Sequence, residues 1–539
     1  MLADAARITW DAVVIGGGIT GAGIAREASR AGMRVLLLER NDFAYGTSSR
    51  SSKFVHGGLR YLAHGKLGLI RDSVREREGL LEHGAGLVTP QEFLVADYEY
   101  QRLSRRLFKL ALRAYDWLAG ERSSGYLQPP ELLQRIPALN RIGLRGGFLY
   151  KDAQTDDARL VLRVLREAAG RGACILNYLE VTGFRRSEAS CIEGVTVRDR
   201  ETGSEFDVAA KLVINATGAW ADDLRGALGK QPRMRPLRGS HLVFDAQRLP
   251  IHQPLCLFHP EDRRPVAIYP WEGATVVGTT DLDHEQPLNE EPVISGEETS
   301  YLLKLLDLVF PRLRLSLADI ISTYAGVRPI VGTGRKDPSK ESRDHVVWNE
   351  DGLITVTGGK LTTFRLIAHD ALERAREVLE DMPELPRELS VLSEVDPAQL
   401  DAELARVGVC LDPASRQRLV GRYGSEAVAL VAATVVPARE LTLVPGTRTL
   451  WAELRWAARC EGVVHLEDLL LRRTRLGLLL RGGGLGVLPQ IRKLVQSELG
   501  WSDSEWEQQV NRYREVWNTS YRVPAAAQIP DWQSTATVP

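Results

Sequence analysis

The sequence has few cysteines, almost no net charge and no long apolar run, and each shortage excludes a class of protein. Its five cysteines are scattered over 539 residues without a Cys-x-x-Cys pair, which argues against a disulfide framework and a thiolate metal site. The formal net charge of -1 provides no basic field for nucleic acid. The longest apolar candidate, residues 427–436, stops at Pro437, short of the roughly 20 residues that a membrane-spanning helix needs.

The beginning of the chain shows no targeting segment. The first predicted strand starts about a dozen residues after Met1, which leaves no room for a charged region followed by an apolar core. We therefore expect the chain to stay in the cytosol or on the cytosolic face of a membrane. The hydrophobic content of 44% is that of an ordinary folded chain, and the length predicts three or four domains at roughly 150 residues each.

Residues 11–39 predict a nucleotide-binding βαβ unit. A short apolar strand leads into Gly16, Gly18 and Gly21, which have the G-x-G-x-x-G spacing. Gly16 permits a tight turn, Gly18 lets a pyrophosphate approach the backbone, and Gly21 allows the helix to pack closely on the strand. A second apolar strand ends at Glu39, which is placed to accept hydrogen bonds from an adenosine ribose. The unit predicts NAD or FAD and leaves the choice between them open.

The next segment, residues 46–61, is rich in hydrogen-bond donors. It contains Thr47, Ser48, Ser49, Ser51, Ser52, Lys53, His56, Gly57, Gly58, Arg60 and Tyr61. This density of donors, with little apolar content, suits a loop that lies along a second phosphate and a flat polar ring. We assign Thr47, Ser48, Ser49 and Lys53 to cofactor binding. A solvated serine-rich loop is the alternative, which the grouping of Lys, His and Arg disfavours.

Further along the chain, a series of motifs carries a family resemblance. In order, they are VVIGGGITGAGIA, TSSRSSKFVHGGLRYL, DDARLVL, VINATGAW, GSHLVF, GTTD, YAGVRP, GGKLTTFR and EDLLLRRTRLGL. Over roughly residues 10–485 the chain closely resembles the FAD-dependent glycerol-3-phosphate dehydrogenases. The combination of HGGLRYL with GGKLTT is specific to that family among flavoproteins.

The resemblance implies an α/β fold with an FAD-binding Rossmann-like domain of the glutathione-reductase type, a mixed-sheet substrate domain and a C-terminal helical domain. The expected boundaries are 1–235 with 320–380 for the FAD-binding domain, including parts of the cap, 236–319 for the main substrate-domain insertion, 381–400 for a linker, 401–520 for the helical domain and 521–539 for a disordered tail. The implied reaction oxidises sn-glycerol 3-phosphate to dihydroxyacetone phosphate, with a hydride passing to flavin N5 and electrons leaving to membrane quinone.

The residue types present match that chemistry. By similarity, substrate contacts are expected from Arg60, Tyr61, Thr280, Asp281, Arg328 and Lys360, and further cofactor contacts from Gly218, Gly359, Lys360, Leu361 and Thr362. The guanidinium groups of Arg60 and Arg328 and the ammonium of Lys360 together provide enough donors and positive charge to bind one phosphate dianion. Arg328, His241 and Lys360 form the expected catalytic group: Arg328 would stabilise the developing alkoxide, and His241 is the candidate base.

Two other functions stay open. A glycerol-3-phosphate oxidase that uses oxygen would share every flavin and substrate residue. A non-catalytic or tRNA-modifying flavin-binding protein would lack the paired Arg328 and Lys360, and no basic stripe extensive enough for RNA is present. The loop after GTTD, residues 282–292, departs from the Gly-Asp turn of many relatives and lacks the glycine of a calcium-binding hand. No metal is expected, and a homodimer is left open.

Residues 102–118 predict an amphipathic helix. One face carries Leu103, Leu107, Leu110, Ala114 and Leu118, and the basic residues beside it are Arg102, Arg106, Lys109 and Arg113. Basic and apolar stripes side by side suit a helix that lies in the headgroup region of an anionic membrane, where a quinone acceptor is reached. With the quinone-linked reaction that the resemblance implies, this helix predicts a cytoplasmic protein peripherally associated with the inner face of the cell membrane. The alternative is a core-packing helix with a solvated basic face.

Overall fold

A computed structural model describes residues 6–59, 67–101, 104–120, 123–188, 191–334, 341, 344–386 and 390–533. The predicted site residues Arg60 and Tyr61, and the predicted helix residues Arg102 and Leu103, lie outside these ranges.

The strands fall into three sheets. In chain order they are β1 (Ala12–Ile15), β2 (Val35–Leu38), β3 (Phe54–Val55), β4 (Val88–Tyr98), β5 (Gly125–Leu127), β6 (Leu144–Thr155), β7 (Cys174–Leu176), β8 (Leu179–Arg186), β9 (Ile192–Asp199), β10 (Glu205–Ala209), β11 (Val213–Asn215), β12 (Met234–Asp245), β13 (Leu255–Phe258), β14 (Pro265–Trp271), β15 (Ala274–Gly278), β16 (Leu282–Asp283), β17 (Ile320–Val331), β18 (Val346–Glu350) and β19 (Leu353–Thr357).

The helices are concentrated at the end of the chain. They are α1 (Ile19–Arg30), α2 (Leu67–His83), α3 (Arg105–Ala119), α4 (Pro129–Arg135), α5 (Asp157–Ala169), α6 (Ala221–Gly226), α7 (Gly296–Val309), α8 (Phe364–Ala375), α9 (Pro397–Arg406), α10 (Pro413–Tyr423), α11 (Glu426–Ala432), α12 (Pro437–Glu440), α13 (Trp451–Cys460), α14 (Leu476–Leu479), α15 (Leu488–Leu499) and α16 (Asp503–Ser520). A π-helical segment, Asp468–Arg473, precedes α14.

The first sheet has the order β18-β19-β11-β1-β2-β7 and is parallel except at β18. All four residues of β1 are buried, because both faces of the sheet are covered. Ala12 and Val14 pack in the core that contains residues of α1, α5 and α8. Val13 and Ile15 face the β8–β10 meander. The parallel pairing of β1, β2, β7, β11 and β19 places their carboxyl ends at one edge of the sheet, where the glycine turn follows β1.

The second large sheet has the order β16-β12-β15-β14-β13-β4-β6-β3, with β17 paired to β12 and β5 paired to β6. It contains the strands of the expected main insertion at 236–319, together with strands from the ranges that were expected to include parts of the cap. Residues 88–155 contribute β4, β5 and β6, and residues 320–331 contribute β17. The two parts of the chain meet where β13 runs parallel to β4, with Leu255 opposite Leu94.

The C-terminal helices pack against this second sheet and not only against one another. Their core includes Tyr269, Trp271 and Tyr324 from β14 and β17. Residues 521–533, expected within a disordered tail, return to the same sheet: Thr323 donates its backbone N–H to the carbonyl of Tyr521 at 2.7 Å, and Ile529 is buried. Among the described residues, no helix is both long enough and apolar enough to cross a membrane.

Candidate active site

A cleft of about 520 Å³ opens where β1, β2 and β11 end, the position at which open parallel sheets bind ligands. Gly16 begins its lining with a φ of +113°, and a Cβ at this residue would lie 2.6 Å from the carbonyl oxygen of Ala216. Gly18 lines the cleft as well. A Cβ on Gly21 would lie 1.9 Å from the carbonyl oxygen of Gly16. Gly21 therefore serves close packing of α1, as the spacing predicts, while the other two glycines border the cleft.

Glu39 is held at the end of β2 by two backbone donors. Its Oε2 accepts from the N–H of Gly17 at 2.7 Å, and its Oε1 accepts from the N–H of Asn41 at 2.8 Å. Burial raises the pKa of Glu39, and these two backbone hydrogen bonds oppose the rise. Each carboxylate oxygen keeps a lone pair after one such bond. The carboxylate is thus fixed beside the cleft with acceptor capacity left for a ribose.

The serine-rich loop divides between the cleft and the interior. Thr47 and Ser48 line the cleft, and the hydroxyl of Ser48 accepts from the first N–H of α1, that of Ile19, at 3.0 Å. Ser49 and Lys53, both predicted to contact the cofactor, are buried away from the lining. The Nζ of Lys53 instead lies 2.9 and 3.0 Å from the carboxylate oxygens of Asp157.

The buried ammonium of Lys53 lies within an aromatic cage. It is 4.8 Å from the ring centroids of Trp271 and Tyr324. Burial lowers the pKa of Lys53 to about 8, against the opposing charge of Asp157. Lys53 also has a positive φ of 62°, a conformation that few residues other than glycine adopt. The loop therefore turns sharply at this residue and directs its side chain inward.

Residues 358–361, which follow β19, and Pro329 of β17 also line the cleft. Gly359, Lys360 and Leu361 all line it, and Gly218 lines it from the end of β11. The Nζ of Lys360 donates to the hydroxyl of Ser73 at 3.2 Å. Thr362 is buried outside the lining, and its hydroxyl accepts from the N–H of His56 at 3.2 Å.

Arg328 is oriented by the loop between β15 and β16. Its Nη1 donates to Oδ1 of Asp281 at 2.8 Å, and its Nη2 donates to the hydroxyl of Thr279 at 3.0 Å and to the carbonyl of Thr280 at 3.2 Å. The hydroxyl of Thr280 in turn donates to the buried carboxylate of Glu298 at 2.6 Å. In this structure Thr280 and Asp281 therefore support the guanidinium, and Asp281 forms an ion pair with it.

His241 is buried on β12, opposite Gly278 of β15 and Tyr324 of β17. Its ring stacks on that of Tyr324 with centroids 4.5 Å apart, and its Nε2 lies 2.9 Å from the hydroxyl of Ser52. Among the described residues, its Nδ1 has no hydrogen-bond partner. Burial, with the positive charges of Lys53 and Arg328, holds the pKa of His241 well below 6.5. The imidazole is therefore neutral at neutral pH, the state that a base requires.

Sequence reasoning missed several side chains that line the cleft, among them Tyr45, Ser51, Arg198 and Trp220. Trp220 lies 5.0 Å below the guanidinium of Arg40, and its place in the VINATGAW motif could have identified it. Arg198 lies on β9 and carries no motif signal. Within the described ranges, no group of three or more His, Cys, Asp or Glu side chains is arranged to hold a metal ion.

The glycine cradle, the anchored carboxylate of Glu39 and the polar loop fit a dinucleotide that carries a flat ring system. Comparison with known proteins agrees. Residues 11–365 match the family described as FAD dependent oxidoreductase, and residues 393–506 match the C-terminal domain of alpha-glycerophosphate oxidase.

Individual relatives cover most of the chain. The aerobic glycerol-3-phosphate dehydrogenase of Bacillus subtilis (strain 168) is 40% identical over 389 residues, which are 71% of this chain and 69% of that protein. The enzyme of the same name from Staphylococcus aureus (strain MRSA252) is 38% identical over 370 residues, 68% of this chain and 66% of that protein. A solved structure of the glycerol-3-phosphate dehydrogenase from Bacillus halodurans complexed with FAD is 28% identical, with a TM-score of 0.75, and covers 96% of this chain and 95% of that one.

Proposed function

The chain belongs to the family of FAD-dependent glycerol-3-phosphate dehydrogenases, and from this premise we propose that it oxidises sn-glycerol 3-phosphate to dihydroxyacetone phosphate. One observation carries the proposal: the cleft that contains the glycine turn is also lined by Lys360 and by Pro329, which follows Arg328 in the chain. Lys360 thus brings a cationic group suited to a phosphate to the cofactor cleft, whereas Arg328 lies outside the lining. FAD, when bound, would supply the acceptor for the hydride that leaves C2 of the substrate.

Arg328 and Lys360 would bind the charged substrate. The guanidinium of Arg328 is already held on two sides, by Asp281 and by Thr279, so little conformational entropy is lost when it binds a further oxygen. Asp281 neutralises part of its charge, and the ammonium of Lys360 supplies a second positive group. The pair fits a dianion better than a neutral polyol.

His241 would accept the hydroxyl proton. Loss of a hydride from C2 and of a proton from the C2 hydroxyl balances the conversion of a secondary alcohol to a ketone, with two electrons leaving in the hydride. The low pKa of His241, caused by burial and by the charges of Lys53 and Arg328, keeps the imidazole unprotonated. Its second nitrogen is fixed by Ser52, which orients the ring.

Anaerobic mixing of the purified yellow protein with sn-glycerol 3-phosphate tests this reaction. We expect loss of the oxidised flavin absorbance and formation of an equal amount of dihydroxyacetone phosphate. Glycerol, which lacks the phosphate, is the control and should reduce the flavin far more slowly. An unchanged flavin spectrum with glycerol 3-phosphate, or equal rates with glycerol, would contradict the proposal.

The acceptor that we propose is a membrane quinone, reached through the outer face of α3. This face exposes Leu107, Leu110 and Trp117, with 68%, 64% and 79% of each residue accessible. Arg106 and Arg113 are exposed beside them. The inner face packs through Leu112 and Tyr115 into the sheet.

The arrangement combines both interpretations of the sequence, because α3 contributes to the core and still presents an apolar stripe. Trp117 belongs to the outer stripe, whereas Leu118 is half-buried against the core. An exposed apolar stripe with arginines along one side suits a helix at the boundary of headgroups and acyl chains. Each basic residue near an anionic surface contributes about 1 kcal/mol. Contact with the bilayer would let a reduced flavoprotein reach a lipid-soluble quinone.

Charge reversal tests the membrane proposal. The double variant Arg106→Glu, Arg113→Glu should lose binding to anionic liposomes in sedimentation, keep activity with a water-soluble dye, and lose activity with long-chain quinone. The matched control reverses two exposed arginines elsewhere, Arg171 and Arg186, and should sediment like the parent. Equal sedimentation of both double variants would place any membrane contact elsewhere.

A further inference from the structure

The C-terminal helical domain places a group of buried arginines against the FAD-binding domain. We name residues 468–475 the arginine turn: it comprises the π-helical segment Asp468–Arg473, Thr474, and Arg475, which has a left-handed φ of 64°. Arg472, Arg473 and Arg475 are all buried. π-helical segments are rare and are found frequently at functional sites. Here the segment directs consecutive arginines toward one neighbouring domain.

The first anchor of the arginine turn is Asp42, three residues after Glu39. Arg473 donates Nη1 to Oδ2 and Nη2 to Oδ1 of Asp42, both at 2.6 Å, and Arg472 donates to the same carboxylate. Burial would raise the pKa of Asp42, but the charges of Arg473 and Arg472 hold it below its ordinary value. A bidentate pair fixes the orientation of the carboxylate as well as its distance.

The second anchor lies at the other end of the same loop. The Nη2 of Arg475 donates to the carbonyl of Ser49 at 3.1 Å and also to Oδ1 of Asp157. The other oxygen of Asp157 accepts from the N–H and the hydroxyl of Ser51, at 2.9 and 2.7 Å. Lys53 completes the pairing of that carboxylate. Arg475 therefore fixes the loop both directly and through Asp157.

The loop between these anchors, residues 42–51, forms one wall of the cofactor cleft. Its lining residues are Tyr45, Gly46, Thr47, Ser48 and Ser51. We propose that the arginine turn is a clamp for the FAD site, and that Arg473 and Arg475 are positioning residues that hold loop 42–51 in the conformation that receives the cofactor. The helical domain is then part of the cofactor site, although residues 468–475, all described, do not line the cleft.

The ion pairs of Arg455 connect parts of the helical domain only, and they can stabilise that domain without positioning loop 42–51. Arg455 is buried and donates to Glu440 at 2.8 Å and to Glu498 at 2.7 Å, so its partners belong to the helical domain alone. Buried ion pairs of this kind are often no more stabilising than apolar residues of the same volume. Two anchors on a single cleft-lining loop, in contrast, determine where that loop lies. Arg455 is therefore the matched control for Arg473 and Arg475.

Hydrogen–deuterium exchange of the full-length protein tests the clamp without any substitution. Because coupling between two sites is reciprocal, binding of FAD must stabilise the arginine turn. We expect slower exchange in peptides that cover 466–478 when FAD is added to the FAD-free protein, and unchanged exchange in peptides from α15, residues 488–499. No slowing at 466–478, or equal slowing in α15, would overturn the proposal.

Conservative variants provide the second test. Arg473→Lys and Arg475→Lys keep the charge and lose the planar fork, so the dissociation constant for FAD should rise by roughly tenfold or more for each. Arg455→Lys should lower the melting temperature of the protein as much as Arg473→Lys and Arg475→Lys do, but it should leave the FAD dissociation constant unchanged. Parental FAD affinity in both clamp variants would overturn the proposal. The titrations contain no substrate, so their outcome is independent of the proposed reaction.

Discussion

The substitution Gly239→Ala is expected to displace Arg328 without disturbing the cofactor. Gly239 lies on β12 outside the cleft lining, and its backbone does not have a positive φ. A Cβ at this position would lie 2.2 Å from Nη2 and 2.6 Å from Cζ of Arg328, and 2.6 Å from the hydroxyl oxygen of Thr279. Because the end of an arginine side chain is flexible, the guanidinium moves and the strand does not.

The structure sets the size of this displacement. Ordinary contact begins at about 3.4 Å, so Nη2 must move by about 1.2 Å. That shift breaks its hydrogen bonds to Thr279 and Thr280, at 3.0 and 3.2 Å. A misplacement of about 1 Å in a catalytic group costs on the order of a hundredfold. We therefore expect kcat/KM for glycerol 3-phosphate to fall about a hundredfold, equivalent to roughly 2.7 kcal/mol of transition-state stabilisation.

Steady-state kinetics with a water-soluble dye, together with the flavin absorbance spectrum, measure both effects. The matched control is Gly332→Ala, one residue beyond β17, where a Cβ would meet Arg235 Cβ at 3.5 Å and little else. This control should have parental kinetics, and both variants should keep bound FAD. Parental kcat/KM in Gly239→Ala would show that Arg328 does not act from its position in this structure.

Three further substitutions and conditions follow from the site. Glu39→Ala should weaken FAD binding by roughly 1.5 to 3 kcal/mol, the contribution of a charge-assisted hydrogen bond. If a titration gave the variant the same FAD affinity as the parent, the assignment of Glu39 to the ribose would be wrong. Arg328→Lys should lower kcat/KM by about tenfold to a hundredfold with normal flavin absorbance, and near-parental turnover would exclude the planar fork from catalysis. Burial and the charges of Lys53 and Arg328 lower the pKa of His241. The rate of flavin reduction at saturating substrate should therefore stay constant from neutral pH down to 6.5 and decline only well below that pH. A decline that begins at or above pH 6.5 would argue against His241 as the base.

The nucleotide-binding βαβ unit was predictable because its signals are local, whereas the choice of FAD over NAD came from the resemblance across the whole series of motifs. The glycine turn requires particular residues at fixed short spacing: in the structure Gly16 has a positive φ, Gly16 and Gly18 line the cleft, and Gly21 packs closely against Gly16. The acid at Glu39 likewise follows from the length of one βαβ unit. Short-range constraints of this kind leave few alternative structures for the segment.

The direction of loop side chains was not predictable, because partners far along the chain determine it. Lys53 turns inward to an aspartate 104 residues away, and Ser49 offers its carbonyl to an arginine 426 residues away. The extent of the substrate-domain sheet has the same origin, since β4 and β13 pair across a long separation. The packing of residues 521–533 depends on the sheet surface that receives them. The sequence of each of these segments gives no indication of the distant residues that it contacts.

The acceptor assay tests the central claim most directly. Purified protein is given sn-glycerol 3-phosphate and anionic liposomes that contain long-chain quinone, with and without oxygen, and dihydroxyacetone phosphate, quinol and hydrogen peroxide are measured. We expect equal amounts of dihydroxyacetone phosphate and quinol, formed at the same rate without oxygen. Turnover that requires oxygen and yields peroxide in equal amount would identify an oxidase, and no ketone product with either acceptor would contradict the proposed function itself.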